Sequence, residues 1–179
     1  KVSNLSKTYN GKTYVFKNLS FKIEEGEIVG IIGESGAGKT TLLNLLSGLD
    51  RPSDGEILYN NNKMNDFSQR NLTALRRREF GYIFQFFNLI DFLNVEENIL
   101  LPSIFDKNTT CKNSIDNILN YFGIYNRRSS YPNELSGGEK QRVAIARAIS
   151  YNPSVIFADE PTGNLDKKAA EEIINIIFS

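Results

Sequence analysis

Polar and apolar positions alternate at the start of the chain. Residues 1–25 read as short strands joined at Asn10-Gly11, a dipeptide that suits a hairpin turn, with Val15–Ile23 as the second strand. A different pattern follows. Glu27–Ile32 (Glu-Ile-Val-Gly-Ile-Ile) is a short β-branched run of the kind that predicts a buried parallel strand, and it leads into a glycine-rich turn. Lys39–Ser47 then reads as a helix that Gly48 stops. Glu56–Tyr59 and Phe80–Phe84 are further predicted strands, with a helix beginning near Ser68 between them. From Val95 to Ile149 the spacing is mainly helical, punctuated at Pro102, Gly123 and Pro132. Ser154–Ala158 returns to a buried strand, and Lys167–Phe178 is an amphipathic helix. Strand, helix, helical insertion, strand, helix predicts an α/β fold with a parallel core. There are no internal repeats.

Composition narrows the partners. Lys plus Arg is 21 and Asp plus Glu is 21, so no net field draws the chain to nucleic acid or to an anionic surface. The basic run Arg76-Arg77-Arg78 falls at a helix end, where the macrodipole favours cations. A single cysteine, Cys111, excludes an internal disulfide, and the absence of histidine excludes a Cys–His nucleophile. The most apolar window, Tyr82–Leu93, is broken by Gln85, Asn88 and Asp91. No run approaches the roughly 18 apolar residues of a membrane span, so the chain reads as soluble on its own.

Candidate chemistry lies in three segments. Gly33-Glu34-Ser35-Gly36-Ala37-Gly38-Lys39-Thr40 has the glycines needed for backbone N–H groups to curl round phosphate oxygens. Lys39 would supply a point charge to the β- and γ-phosphates, and the Thr40 hydroxyl would ligate Mg²⁺. Val155-Ile156-Phe157-Ala158 is an apolar strand ending in two carboxylates. Asp159 is placed to hold Mg²⁺, and Glu160 to polarise the water that attacks the γ-phosphate. Gln85, just after Phe80–Phe84, is a neutral oxygen ligand for the metal or the water. In Leu135-Ser136-Gly137-Gly138-Glu139-Lys140-Gln141-Arg142, Ser136 and Glu139 form a capping-box pattern at the start of a helix. Such a start is a second anion-seeking site.

These segments, with Gly163-Asn164-Leu165-Asp166, stand in the order and spacing of the nucleotide-binding subunits of ABC transporters, which the chain resembles over nearly its whole length. The resemblance implies a P-loop NTPase fold: a RecA-like parallel core, an N-terminal antiparallel β subdomain and a helical signature subdomain. Residues 1–179 would form one ATPase domain, with 1–84 and 150–179 as core and β subdomain and 85–149 as helical subdomain. ATP and Mg²⁺ would be bound by Gly33–Thr41, Asp159 and Gln85, with Tyr9 stacked on adenine. Lys39, Gln85 and Glu160 would carry hydrolysis. Ser136, Gly137 and Gly138 would contact the γ-phosphate held by a second subunit in a head-to-tail homo- or heterodimer. Asn164 and Asp166 would communicate across that dimer. Tyr82–Pro102 and Pro161–Asp166 are similar to the branch handling lipoprotein release, macrolide and antimicrobial-peptide efflux, and cell-division signalling. Exposed aromatics near Phe84–Leu93 would then receive a membrane permease subunit at the inner face of the cell membrane. A signalling module without transport and a non-hydrolysing nucleotide-binding fragment are the alternatives; soluble DNA-repair or translation relatives are disfavoured, because their coiled-coil insertion or tandem domains have no counterpart here.

The chain departs from the family in one respect. The family's switch histidine lies on a strand beyond Glu160, whereas this sequence has no histidine and ends at Ser179. On that resemblance the chain is expected to be C-terminally truncated, lacking a core strand between the phosphate-loop strand and the Asp159 strand.

Overall fold

The computed structural model describes residues 1–105 and 114–178; Cys111 lies outside them. The chain divides into two compact units, Lys1–Arg76 and Arg77–Ser179.

The first unit is built on an antiparallel sheet. Strands β1 (Val2–Thr8), β2 (Tyr14–Phe21), β3 (Asp54–Tyr59) and β4 (Asn62–Lys63) are ordered β2-β1-β3-β4. The predicted hairpin at Asn10-Gly11 is present. The Asn10 Oδ1 atom accepts the N–H groups of Lys12 (3.0 Å) and Thr13 (2.8 Å), and Thr8 Oγ1 accepts that of Gly11 (3.0 Å), so two short polar side chains hold the turn. Helices α1 (Lys39–Leu46) and α2 (Gln69–Arg78) follow the predicted positions, and α2 carries the Arg76–Arg78 cations in its last turn. Val2, Leu5 and Ile57 of the sheet, Leu42 and Leu45 of α1, and Leu72 of α2 are buried. Full burial of each such side chain stabilises by about 1.5–3 kcal/mol.

Glu27–Ile32 differs from the prediction. No strand ladder among the described residues includes it, and Ile28 and Ile32 are 74% and 97% exposed. β-branched side chains favour extended backbone, but a strand exists only through the partners that take its N–H and C=O groups.

The second unit contains a two-stranded parallel sheet, β5 (Phe80–Ile83) and β6 (Val155–Ala158), in register from Phe80–Val155 to Ile83–Ala158. Around it are α3 (Val95–Phe105), α4 (Ile115–Tyr121), α5 (Gly137–Ile149) and α6 (Lys167–Phe178). Ile83, Val95, Ile99, Phe122, Val143 and Ile173 belong to one buried cluster that joins β5, α3, α5 and α6. The expectation that β6 is fully buried is corrected: only Phe157 is buried and Ile156 is 45% exposed. With a single ladder neighbour, β6 leaves one edge without the covering that a central strand would have. Pro102 does not end α3, because its missing N–H removes only one bond from a helix already nucleated upstream. No helix among the described residues is long and apolar enough to cross a membrane.

Candidate functional site

In the first unit the glycine loop closes on its own lysine. Lys39 Nζ donates to the carbonyl oxygens of Gly33 and Glu34, both at 2.9 Å, and the Ala37 N–H donates back to the Glu34 carbonyl at 3.2 Å. Gly36 and Gly38 have φ of 81° and 92°, which glycine alone adopts freely. Gly38 is also the N-cap of α1, and a Cβ there would lie 2.4 Å from Val15 Cγ1. Two independent constraints therefore demand glycine at this one position. No acidic residue occupies the first turn of α1, so its positive end is uncompensated by the helix itself. Thr40 and Thr41 sit in that first turn, with Thr40 exposed. The sequence-predicted residues Gly33, Glu34, Ser35, Gly36, Ala37, Gly38, Lys39, Thr40 and Thr41 are thus brought together as one loop and helix start.

Tyr9 follows β1 and is 68% exposed. Its hydroxyl donates to Asp50 Oδ2 at 3.1 Å, and the Lys7 ammonium lies 4.6 Å from the centre of its ring. Burial pushes the Asp50 carboxyl up, but hydrogen bonds from Lys7, the Arg51 N–H and Tyr9, with the Lys7 charge, hold it below the usual carboxylate value. Neither Lys7 nor Asp50 is marked by any sequence motif.

In the second unit the predicted acidic strand end is present. Asp159 is 8% exposed, and its N–H donates to the Ile83 carbonyl at 2.9 Å, extending the β5–β6 ladder by one residue. Burial, followed by the charge of Asp159, pushes the Tyr82 phenol up to about 12, so it stays neutral beside that carboxylate. Glu160 has φ 44°, in the left-handed region. Gln85 Nε2 donates to Glu160 Oε2 at 2.9 Å, and Asn164 Nδ2 donates to the Gln85 main-chain carbonyl at 2.7 Å. The Gly163 N–H closes a turn onto the Glu160 carbonyl at 3.0 Å. Gly163, three residues on, thus closes the Glu160 backbone turn, and Gln85, distant in sequence, holds its carboxylate.

The start of α5 has the predicted capping box. Ser136 Oγ accepts the Glu139 N–H (3.3 Å), while Glu139 Oε2 accepts both the N–H and the hydroxyl of Ser136, each at 2.8 Å. Arg127 Nε donates to the other Glu139 oxygen at 2.7 Å. The Ser136 N–H, against the opposing effect of burial and with help from Arg127, holds the Glu139 carboxyl below its ordinary value. A cleft of about 360 Å³ opens here, lined by Ser136, Gly137, Gly138, Asn164, Asp166 and Glu172 among others.

The predicted aromatic segment after β5 exposes Phe86 and Phe92, at 72% and 80%. Its backbone is held in an unusual shape, with Phe87 and Asn88 both left-handed at φ 61° and 47°. Arg147 of α5 clamps the turn, donating to the carbonyls of Asn88 (2.7 Å) and Phe87 (2.8 Å). Burial pulls the Arg147 guanidinium below its usual value. Sequence reasoning passed over Arg147, although a cation inside the apolar run Val143–Ile149 is a signal that a buried carbonyl or carboxylate needs it.

Known proteins align with this arrangement. The family model described as "ABC transporter" matches residues 16–163. The lipoprotein-releasing system ATP-binding protein LolD of Cytophaga hutchinsonii is 42% identical, over 99% of this chain and 82% of its own. The bacitracin export ATP-binding protein BceA of Halalkalibacterium halodurans is 42% identical, over 97% of this chain and 71% of its own. Among solved structures, the dimeric post-hydrolysis state of the ATP-binding cassette MJ0796, bound to ADP and Pi, superposes with a TM-score of 0.88 at 41% identity, covering 98% of this chain and 80% of that one. The α/β P-loop architecture read from the sequence is the architecture of that cassette, and the chain belongs to the ABC transporter family as an ATP-binding subunit with ATPase chemistry.

Proposed function

We propose that this chain hydrolyses ATP to power a membrane export system of the kind that its relatives LolD and BceA serve, for lipoproteins or antimicrobial peptides. The observation that carries the reading is the contact between Gln85 and Glu160, which holds one carboxylate oxygen at the end of β6 by a neutral amide.

The phosphate loop binds the triphosphate through its N–H groups and Lys39, and Tyr9 stacks on the adenine. Thr40, Asp159 and the Gln85 amide oxygen are hard oxygen donors. No group of three or more His, Cys, Asp or Glu side chains occurs among the described residues. Each of these donors is of the kind that Mg²⁺ accepts, an ion that keeps several waters and takes further ligands from substrate phosphates. When bound, Mg²⁺ would neutralise charge on the phosphate oxygens. Glu160 accepts the proton of the attacking water as its oxygen bonds to the γ-phosphorus, and ADP leaves with the electrons of the broken P–O bond. Ser136, Gly137 and Gly138 serve the γ-phosphate of a second copy in a head-to-tail dimer. The segment Phe84–Leu93 receives the permease on the cytoplasmic side of the membrane, with Phe86 and Phe92 as its apolar anchors.

The test is a pair of measurements on the purified protein. Glu160→Gln should bind ATP and double its mass in solution, while phosphate release falls by about 10²–10⁴-fold, the usual worth of a general base. Unchanged turnover in this variant would remove Glu160 from the role, and a mass that ignores ATP would remove the dimer.

A further inference from the structure

Tyr9 is held by more than its place in the chain. Lys7 precedes it on β1 and is 7% exposed, an unusual setting for a lysine. Its ammonium bonds Asp50 at 2.8 Å through either carboxylate oxygen and the Arg51 carbonyl at 2.8 Å. The same ammonium lies 4.6 Å from the centre of the Tyr9 ring, within cation–π range. Asp50 then closes a triangle by accepting the Tyr9 hydroxyl at 3.1 Å. The Arg51 N–H, at 2.7 Å, fixes the other Asp50 oxygen.

The triangle restrains an otherwise exposed ring in both of its freedoms. The hydroxyl tether fixes where the ring points, and the ammonium occupies one of its faces. A ring restrained this way offers its other face to a planar partner without first giving up rotamer freedom, so less entropy is lost when that partner arrives. The cation also draws electron density from the ring, which favours offset stacking by an electron-rich purine.

We propose that Lys7 and Asp50 are positioning residues that pin Tyr9 as a one-sided platform for the purine base of a nucleoside triphosphate, setting base affinity without acting on the phosphates. The inference rests on the reading that Tyr9 stacks on adenine.

Equilibrium titrations with ATP and with inorganic tripolyphosphate test it, on the full chain, with thermal melts confirming that each variant is folded. Tyr9→Phe keeps the ring and loses only the tether, so it is the variant least exposed to misfolding; Lys7→Met removes the cation. Each should weaken ATP by about three- to tenfold, the span of one lost hydrogen bond or cation–π contact, and leave tripolyphosphate within about twofold. In a Tyr9→Ala background, Lys7→Met should change ATP affinity no further. Equal weakening of ATP and tripolyphosphate, or a full Lys7→Met effect in the Tyr9→Ala background, would overturn the pin while leaving the stacking role of Tyr9 intact. ATP affinity unmoved by Tyr9→Ala alone would instead overturn the stacking reading, and the pin with it.

Discussion

The side-chain amide of Gln85 donates to the carboxylate of Glu160 across 2.9 Å, joining a residue two positions beyond β5 to the residue that begins the turn after β6. Because Asn164 separately holds the Gln85 main chain, the amide is presented to Glu160 by a fixed backbone. An amide can steady a carboxylate without neutralising it, which a lysine or arginine in its place would do.

Gln85→Glu keeps the shape of that contact and replaces attraction with repulsion between two carboxylates. The pair would bind a proton more readily than either group alone, so the pH–rate profile of ATP hydrolysis should move toward alkaline pH. Gln85→Ala should lower turnover with little change in the Michaelis constant for ATP. A profile identical to that of the unmodified protein would show that the contact has no part in hydrolysis.

Arg147→Met preserves volume but removes the donors that hold Phe87 and Asn88. Charge-assisted bonds of this kind are worth about 1.5–3 kcal/mol, so the melting temperature should fall measurably. Amide exchange should quicken at residues 86–90, while the affinity for ATP of a loop held by Lys39 should be unaltered. Equal exchange in both proteins would show that the turn keeps its left-handed residues without the clamp.

The α5 cap should be acid-labile. The Glu139 carboxyl is held below its ordinary value of 4.5 in the folded chain, chiefly by the Ser136 N–H. Its contribution to stability is therefore complete above that ordinary value and disappears as pH falls through the lowered folded value. Denaturation midpoints of Glu139→Gln and the unmodified protein should diverge at neutral pH and converge only as pH falls through the lowered folded value, below 4.5. Parallel curves over the whole range would exclude Glu139 as the source.

Gly38→Ala should damage the first unit. A non-glycine residue in the left-handed region costs about 1–2 kcal/mol, before the approach of its Cβ to Val15 is counted. Lower thermal stability together with weaker ATP binding is expected, and Gly26→Ala is the control. Gly26 has φ 76° but no atom near its hypothetical Cβ, so it isolates the backbone cost.

What the sequence revealed was local. The Asn10-Gly11 hairpin and the Ser136–Glu139 box are each decided by residues within a few positions of one another, and both form as predicted. The glycine loop opens α1 as predicted, but the strand expected to lead into it does not form. Contacts between remote segments were not legible. Nothing in the sequence near Lys7 announces Asp50, and although Arg147 in its apolar run signals a buried partner, the run does not say that Phe87 and Asn88 supply it. Glu27–Ile32 shows the opposite failure. Its composition specifies a strand, but pairing decides whether one forms, and pairing is a property of neighbours that a β-branched run cannot encode. The burial of β6 was overestimated for the same reason.

The left-handed backbone at Glu160 sets function against durability. A glutamate there holds a conformation that glycine would occupy at no steric cost, so the protein forgoes about 1 kcal/mol of possible stability to keep a carboxylate at that turn. Glu160→Gly would relieve that strain but lose both the Gln85 contact and the carboxylate proposed as the base. Glu160→Gln retains the strain and would not share that gain, so comparing the two melting temperatures measures how much stability is given up for chemistry at this position.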